Sequence, residues 1–157
     1  MAVNKDFEDL LRLLNSVRAK YLVVGAYAVI FYTEPRYTKD IDIWIEPTPK
    51  NAEKVYHALK RFGAPVKNLT IEDLTNPNLV YQIGIEPNRI DILMGIAKLP
   101  FNRAWKGRRV SRYGRQRIYF LGREDLIRAK KQAGRPQDQL DARQLSASPA
   151  EEKRSSK

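Results

Sequence analysis

Asp40 and Asp42 stand in the segment Thr38-Lys39-Asp40-Ile41-Asp42-Ile43-Trp44-Ile45-Glu46, where Ile41, Ile43 and Ile45 share one parity. This alternation predicts a half-buried strand over 39–46. A period of two puts both carboxylates on the same face, about 7 Å apart along the strand. Like charges so close repel each other and raise at least one pKa unless a cation lies between them. Oxygen-only ligands of this kind suit Mg²⁺ better than Zn²⁺. Taken alone, a plain surface pair of aspartates reads equally well.

The stretch fourteen residues upstream shifts that balance. Tyr21-Leu22-Val23-Val24 is a short apolar strand, and Gly25-Ala26-Tyr27-Ala28-Val29 follows directly. A glycine between strand and helix lets backbone N–H groups approach an anion at the helix N-terminus. Strand, glycine, helix and then a strand with paired carboxylates is an arrangement that cradles a nucleoside triphosphate and its metal.

These residues resemble the polymerase-beta-type nucleotidyltransferase superfamily, and within it the small AbiEii-like and MNT-like prokaryotic members. Arg36-Tyr37-Thr38-Lys39-Asp40-Ile41-Asp42 is similar to their Arg-x-Thr-x-Asp-Ile-Asp stretch. Leu126, Ile127, Lys130, Arg135, Asp138, Asp141 and Leu145 are similar to their late helical motif. The likeness spans roughly residues 8–145. Ala26 departs from the usual Gly or Ser, so a phosphate contact there must come from backbone N–H groups. The resemblance implies nucleotidyl transfer from an NTP, ATP among the candidates, with Mg²⁺ or Mn²⁺ on Asp40, Asp42 and Asp91. In that superfamily a third carboxylate, here Asp91 between Ile90 and Ile92, activates the acceptor hydroxyl. The resemblance also implies a phosphate-facing Lys130 and a neighbour-encoded toxin or antitoxin partner.

Each assignment has a plainer counterpart. Asp91 could form a salt bridge to Arg89 or Arg36. Arg36 and Lys39 could meet a triphosphate, or only balance the charge of Asp40 and Asp42. Lys130 could lie on a solvated helix face, with Asp138 and Asp141 orienting it or Arg135. His57, the single histidine, reads as structural. Ser111 has no histidine to activate it, which excludes a Ser-His-Asp hydrolase.

The elements that must position these groups follow from periodicity. Helices are expected over 4–18, from Gly25 to before Glu34, over 49–61 with Thr48 as N-cap, and over 123–133 and 136–146. Shorter helical turns are expected near 70–74 and 100–107. Strands 80–85 and 89–94 form one hairpin, and 110–113 and 117–121 a second around Gly114. The fold class is α/β: a small mixed β-sheet of the nucleotidyltransferase type, four or five strands, flanked by helices, with a helical C-terminal section. Residues 1–145 read as one domain and 146–157 as a disordered polar tail.

The chain has 157 residues, no cysteine and a net charge of +11. Disulfides and thiolate metal sites are therefore excluded. No run approaches the ~20 apolar residues of a membrane span, and the N-terminus lacks a signal-peptide pattern, so a cytoplasmic protein is expected. Residues 103–135 carry 12 basic and 2 acidic side chains, against 13 and 12 over residues 1–102. That block favours a polyanion, and tRNA or another RNA is the expected acceptor, met by Arg108, Arg109, Arg112, Arg115 and Arg117. Interleaving of these arginines with Tyr113, Tyr119 and Phe120 suits RNA contact, and equally a hairpin with one packed and one basic face. A catalytically silent module that binds nucleic acid or a partner protein is the alternative function.

Overall fold

Asn4 opens the first helix, α1 (Lys5–Ser16), by accepting from the backbone N–H groups of Asp6 and Phe7. Its apolar stripe of Phe7, Leu10, Leu11 and Leu14 is buried on the sheet. The structure, a computed structural model, describes residues 3–34, 38, 40–85 and 88–147. The elements that follow are β1 (Tyr21–Val24), α2 (Gly25–Tyr32), β2 (Ile41–Ile45), α3 (Pro49–Phe62), β3 (Val80–Ile83) and β4 (Ile90–Leu93). Then come α4 (Phe101–Lys106), β5 (Arg109–Tyr113), β6 (Gln116–Phe120), α5 (Arg123–Ala133) and α6 (Pro136–Ser146). Thr48 caps α3 by accepting from the Asn51 N–H, and Gly63 ends it at φ +97°. A short 3₁₀ turn, Asp73–Thr75, is clamped by reciprocal Thr70–Asp73 hydrogen bonds.

Among the described residues the sheet has six strands, in the order β3-β4-β2-β1-β6-β5. The four or five expected from sequence fall short because the second hairpin does not stand apart. Its inner strand β6 runs parallel to β1, with Val23 beside Phe120, and the Leu121 N–H donates to the Val23 carbonyl. β1 and β2 are antiparallel, and β2 and β4 parallel. Both hairpins form as expected.

β2 is less exposed than its alternation suggests. Ile41, Ile43 and Ile45 are buried on one face, but Trp44 is buried on the other, with its ring edge-on to Phe101 of α4. Only Asp42 within β2 is partly exposed. α4 therefore covers half of that face and leaves the end near Asp42 open. Among the described residues no helix is long and apolar enough to cross a membrane. α6 ends at Ser146, where the helix expected over 136–146 ends, and residues 148–157 lie outside the described residues.

Candidate active site

The parallel pairing of β2 and β4 sets Asp42 directly beside Asp91. In an aligned register, neighbouring side chains project from the same face. The same row continues to Gln82 on β3, opposite Asp91, and to Val24 on β1, opposite Asp42. Gln82, Asp91, Asp42 and Val24 thus line up across four strands, and Gln82 is exposed. Sequence reasoning did not single out Gln82. Its relation to Asp91 depends on hairpin register, which alternation within one strand does not reveal.

Gly25 follows Val24 and has φ +67°, a conformation that favours glycine. A Cβ at that position would run into the Asp42 carboxylate. The residue is glycine because the acid is packed against the backbone there. Gly25 opens α2, and no side chain caps that helix. Its first N–H groups, with the positive end of the helix dipole, are suited to an anion. Ala26 is the second residue of α2 and is half-buried.

Burial, then the negative charge of Asp91 and a shared hydrogen bond with it, push the Asp42 carboxyl up to about 7. Asp40 adds to that push and Lys130 opposes it. Asp40 lies just before β2. The Arg89 guanidinium binds it through Nη2, 2.9 Å from Asp40 Oδ2. Arg89 also donates to both oxygens of Asp91, from Nε at 3.1 Å and from Nη2 at 3.2 Å.

A cleft of about 770 Å³ opens beside Val24, Gly25 and Asp42, and Lys130, Arg135 and Leu126 form its far wall. Lys130 is mostly buried. Its Nζ lies 3.4 Å from Asp138 Oδ1 and 3.2 Å from Asp141 Oδ2. Both acids are fully buried in α6. The hydrogen bond from Arg135 holds the Asp138 carboxyl below its usual value against the cost of burial, with Lys130 acting in the same direction. Lys130 is thus anchored in the cleft rather than spread on a solvated helix face, and Asp138 and Asp141 are its anchors.

Arg36 and Lys39 lie outside the described residues. The basic hairpin is elsewhere. Arg112 near the end of β5, Arg115 in the turn and Arg117 near the start of β6 are all exposed. With Arg18 and Lys20 they surround a hollow of about 550 Å³. That hollow adjoins the start of β1, whereas Gly25 follows its end, roughly 13 Å away along a strand. Arg108 is half-buried, its guanidinium 3.9 Å from the Trp105 ring centre, and Arg109 is half-buried too. Tyr113 and Phe120 are buried, so the hairpin has one packed face and one basic face.

Carboxylate oxygens are suitable donors for Mg²⁺ or Mn²⁺. Asp42 and Asp91 meet that requirement as adjacent acids whose mutual repulsion a cation would relieve. Asp40 is engaged by Arg89, and among the described residues no three acidic, histidine or cysteine side chains gather as a ready metal site.

No family profile matches the sequence, and no curated protein matches it. Solved structures do. A lincosamide antibiotic adenylyltransferase in its lincomycin-bound form is 16% identical with a TM-score of 0.58, over 93% of this chain and 98% of that one. A candidate nucleotidyltransferase from Thermotoga maritima is 14% identical with a TM-score of 0.58, over 90% of this chain and 93% of that one. The chain therefore has the nucleotidyltransferase fold, as the early glycine and Asp-x-Asp pattern led us to expect.

Proposed function

We propose that the protein is a metal-dependent nucleotidyltransferase that moves a nucleoside monophosphate from an NTP to an acceptor. The observation that carries this reading is the direct register of Asp42 with Asp91, beside Gly25, in a cleft whose opposite wall presents Lys130. The first N–H groups of α2, Lys130 and Arg135 would hold the triphosphate. An acceptor oxygen attacks the α-phosphorus, a new P–O bond forms, and the bond to the β-phosphate breaks. Pyrophosphate leaves, and the acceptor proton passes to Asp91. Asp42 and Asp91, joined by Asp40, would hold Mg²⁺ or Mn²⁺, which supplies neutralisation of charge on the transferring phosphoryl group. Fixed positions and fixed charges do most of the work in such transfers.

RNA, tRNA among the candidates, is the proposed acceptor, and the exposed arginines of the second hairpin support it. A small-molecule acceptor is the second reading. It is favoured by Leu93, Ile96 and Leu126 along the cleft and by the lincomycin-bound relative of the same fold. A toxin or antitoxin partner is proposed only on the resemblance of the early motif.

The test is incubation with each labelled NTP, Mn²⁺ or Mg²⁺, and total RNA or a panel of hydroxylated small molecules. Wild type should label one acceptor class. Asp91→Asn should abolish labelling and largely keep NTP binding. Undiminished labelling by Asp91→Asn, or no labelling by wild type in any mixture, overturns the reading. In the second case the silent binding module becomes the better account.

A further inference from the structure

Arg89 immediately precedes β4, two residues before Asp91. It is tied to the site from both ends. Its carbonyl accepts from the Ile41 N–H at 3.2 Å, which fixes its backbone next to the Asp40–Ile41 bond. Its guanidinium then meets Asp40 at 2.9 Å and both oxygens of Asp91 at 3.1 and 3.2 Å. A planar fork with five donors can satisfy two carboxylates at once, and a lysine ammonium cannot do so with the same geometry. The side chain is 32% exposed, so solvent reaches part of it. Asp42 stands directly beside Asp91 in the β2–β4 register. Arg89 thus holds Asp40 Oδ2 and both oxygens of Asp91, acceptors that a divalent ion on these acids would also use. Each oxygen keeps further acceptor capacity, but two cations held on the same carboxylates repel each other and weaken each other's binding.

We propose that Arg89 is a built-in counter-ion that competes with the divalent cation for Asp40 and Asp91, so that metal binds tightly only as the guanidinium withdraws. The inference rests on the nucleotidyltransferase reading above. It makes Arg89 a positioning residue whose release is coupled to metal loading. It differs from a structural strut, whose removal would lower stability without strengthening metal binding.

The test is Mn²⁺ binding by calorimetry at fixed ionic strength, without nucleotide, on the full chain. A cation within ~4–6 Å shifts the proton affinity of a carboxylate by roughly one to three pKa units. Removing that competitor should tighten Mn²⁺ binding by about tenfold or more in Arg89→Met. Arg89→Lys keeps the charge but not the fork and should fall between. In wild type, the Arg89 Nε–H resonance should move as Mg²⁺ is added and saturate with metal binding. This NMR measurement does not depend on any variant folding. Arg89→Met affinity equal to or weaker than wild type, or an Arg89 resonance unmoved at saturating Mg²⁺, overturns the counter-ion and leaves the nucleotidyltransferase site standing. Absence of Mn²⁺ binding in wild type and Arg89→Met alike also overturns the counter-ion, and the labelling assay then decides the nucleotidyltransferase reading by itself.

Discussion

Asp42 is the residue with the most strained electrostatics. Its carboxyl has an ordinary value of 3.8 and is pushed up to about 7 in the fold, first by burial and then by Asp91. In metal-free protein the native state therefore holds a proton that the unfolded chain releases between those values. Stability must fall as pH rises through this window and level off above about 7. Asp42→Asn removes the titration. We expect its thermal stability relative to wild type, measured in EDTA, to improve from pH 5 to about pH 7 and to level off by pH 8. At about 1.4 kcal/mol per pKa unit, the relative gain is up to about 3 kcal/mol. A wild-type-to-variant difference that stays flat across the window would show that Asp42 is not the buried, crowded acid described above. Asp40 and Asp42 were legible as candidate ligands because type and spacing alone mark them. Arg89 was legible only as one possible partner of Asp91. Its fork over two acids depends on a parallel β2–β4 contact between strands 49 residues apart.

At the scale of elements, helices and strands emerged from local periodicity within a few residues of their ends. The Thr48 cap, the Gly63 stop and both hairpins are local signals, and local signals survive in a single sequence. The insertion of β1 between β2 and β6 is not local. Nor is the burial of Trp44 by α4, so the sequence reading took β2 for a strand with one open face. The α5–α6 pair lies between these cases. Its two helices were expected, but the purpose of Asp138 and Asp141 shows only when they are seen buried against Lys130. Asp138 carries the next prediction. Arg135 holds its pKa below the ordinary 3.8, with Lys130 assisting. Its contribution to stability is therefore complete above about pH 4 and is lost as pH falls through the lowered value. Asp138→Asn should cost about 1–3 kcal/mol at pH 7, from lost charge-assisted hydrogen bonds. Most of that cost should disappear in acid. The variant should also weaken NTP binding, because Lys130 loses one of its two anchors. Denaturant titrations at pH 7 and at successively lower pH, with an NTP-binding isotherm, check both parts. Unchanged NTP affinity would separate Lys130 from the phosphate site.

At the scale of the molecule, the basic block over residues 103–135 is not one surface. Its later members lie on another part of the fold: Arg123 donates to the Leu145 carbonyl, Arg128 pairs with Asp125 while staying exposed, and Lys130 and Arg135 pair with Asp138 beside the cleft. Arg108 lies against Trp105. Arg112, Arg115 and Arg117 remain exposed around the hollow at the start of β1, and Arg18 and Lys20 join them from a part of the chain with no charge excess. A polyanion bound there would displace condensed counterions. Its affinity should fall with salt at a log–log slope of about −0.7 per phosphate contact on a single strand. Changing Arg112, Arg115 and Arg117 together to Glu should weaken binding to a single-stranded RNA and flatten that slope by about 2. Arg18→Glu should add to the loss. NTP affinity should stay near wild type in both, since Gly25, Asp42 and Lys130 lie around a separate cleft past the other end of β1. Arg108→Ala should instead lower stability more than RNA affinity, because its guanidinium is packed on an aromatic ring. Filter binding across a salt series, beside an NTP isotherm, reads all of these. If RNA binding is absent at low salt, or the slope is indifferent to the triple reversal, the acceptor is not drawn in by this face. The small-molecule reading of the cleft would then take its place.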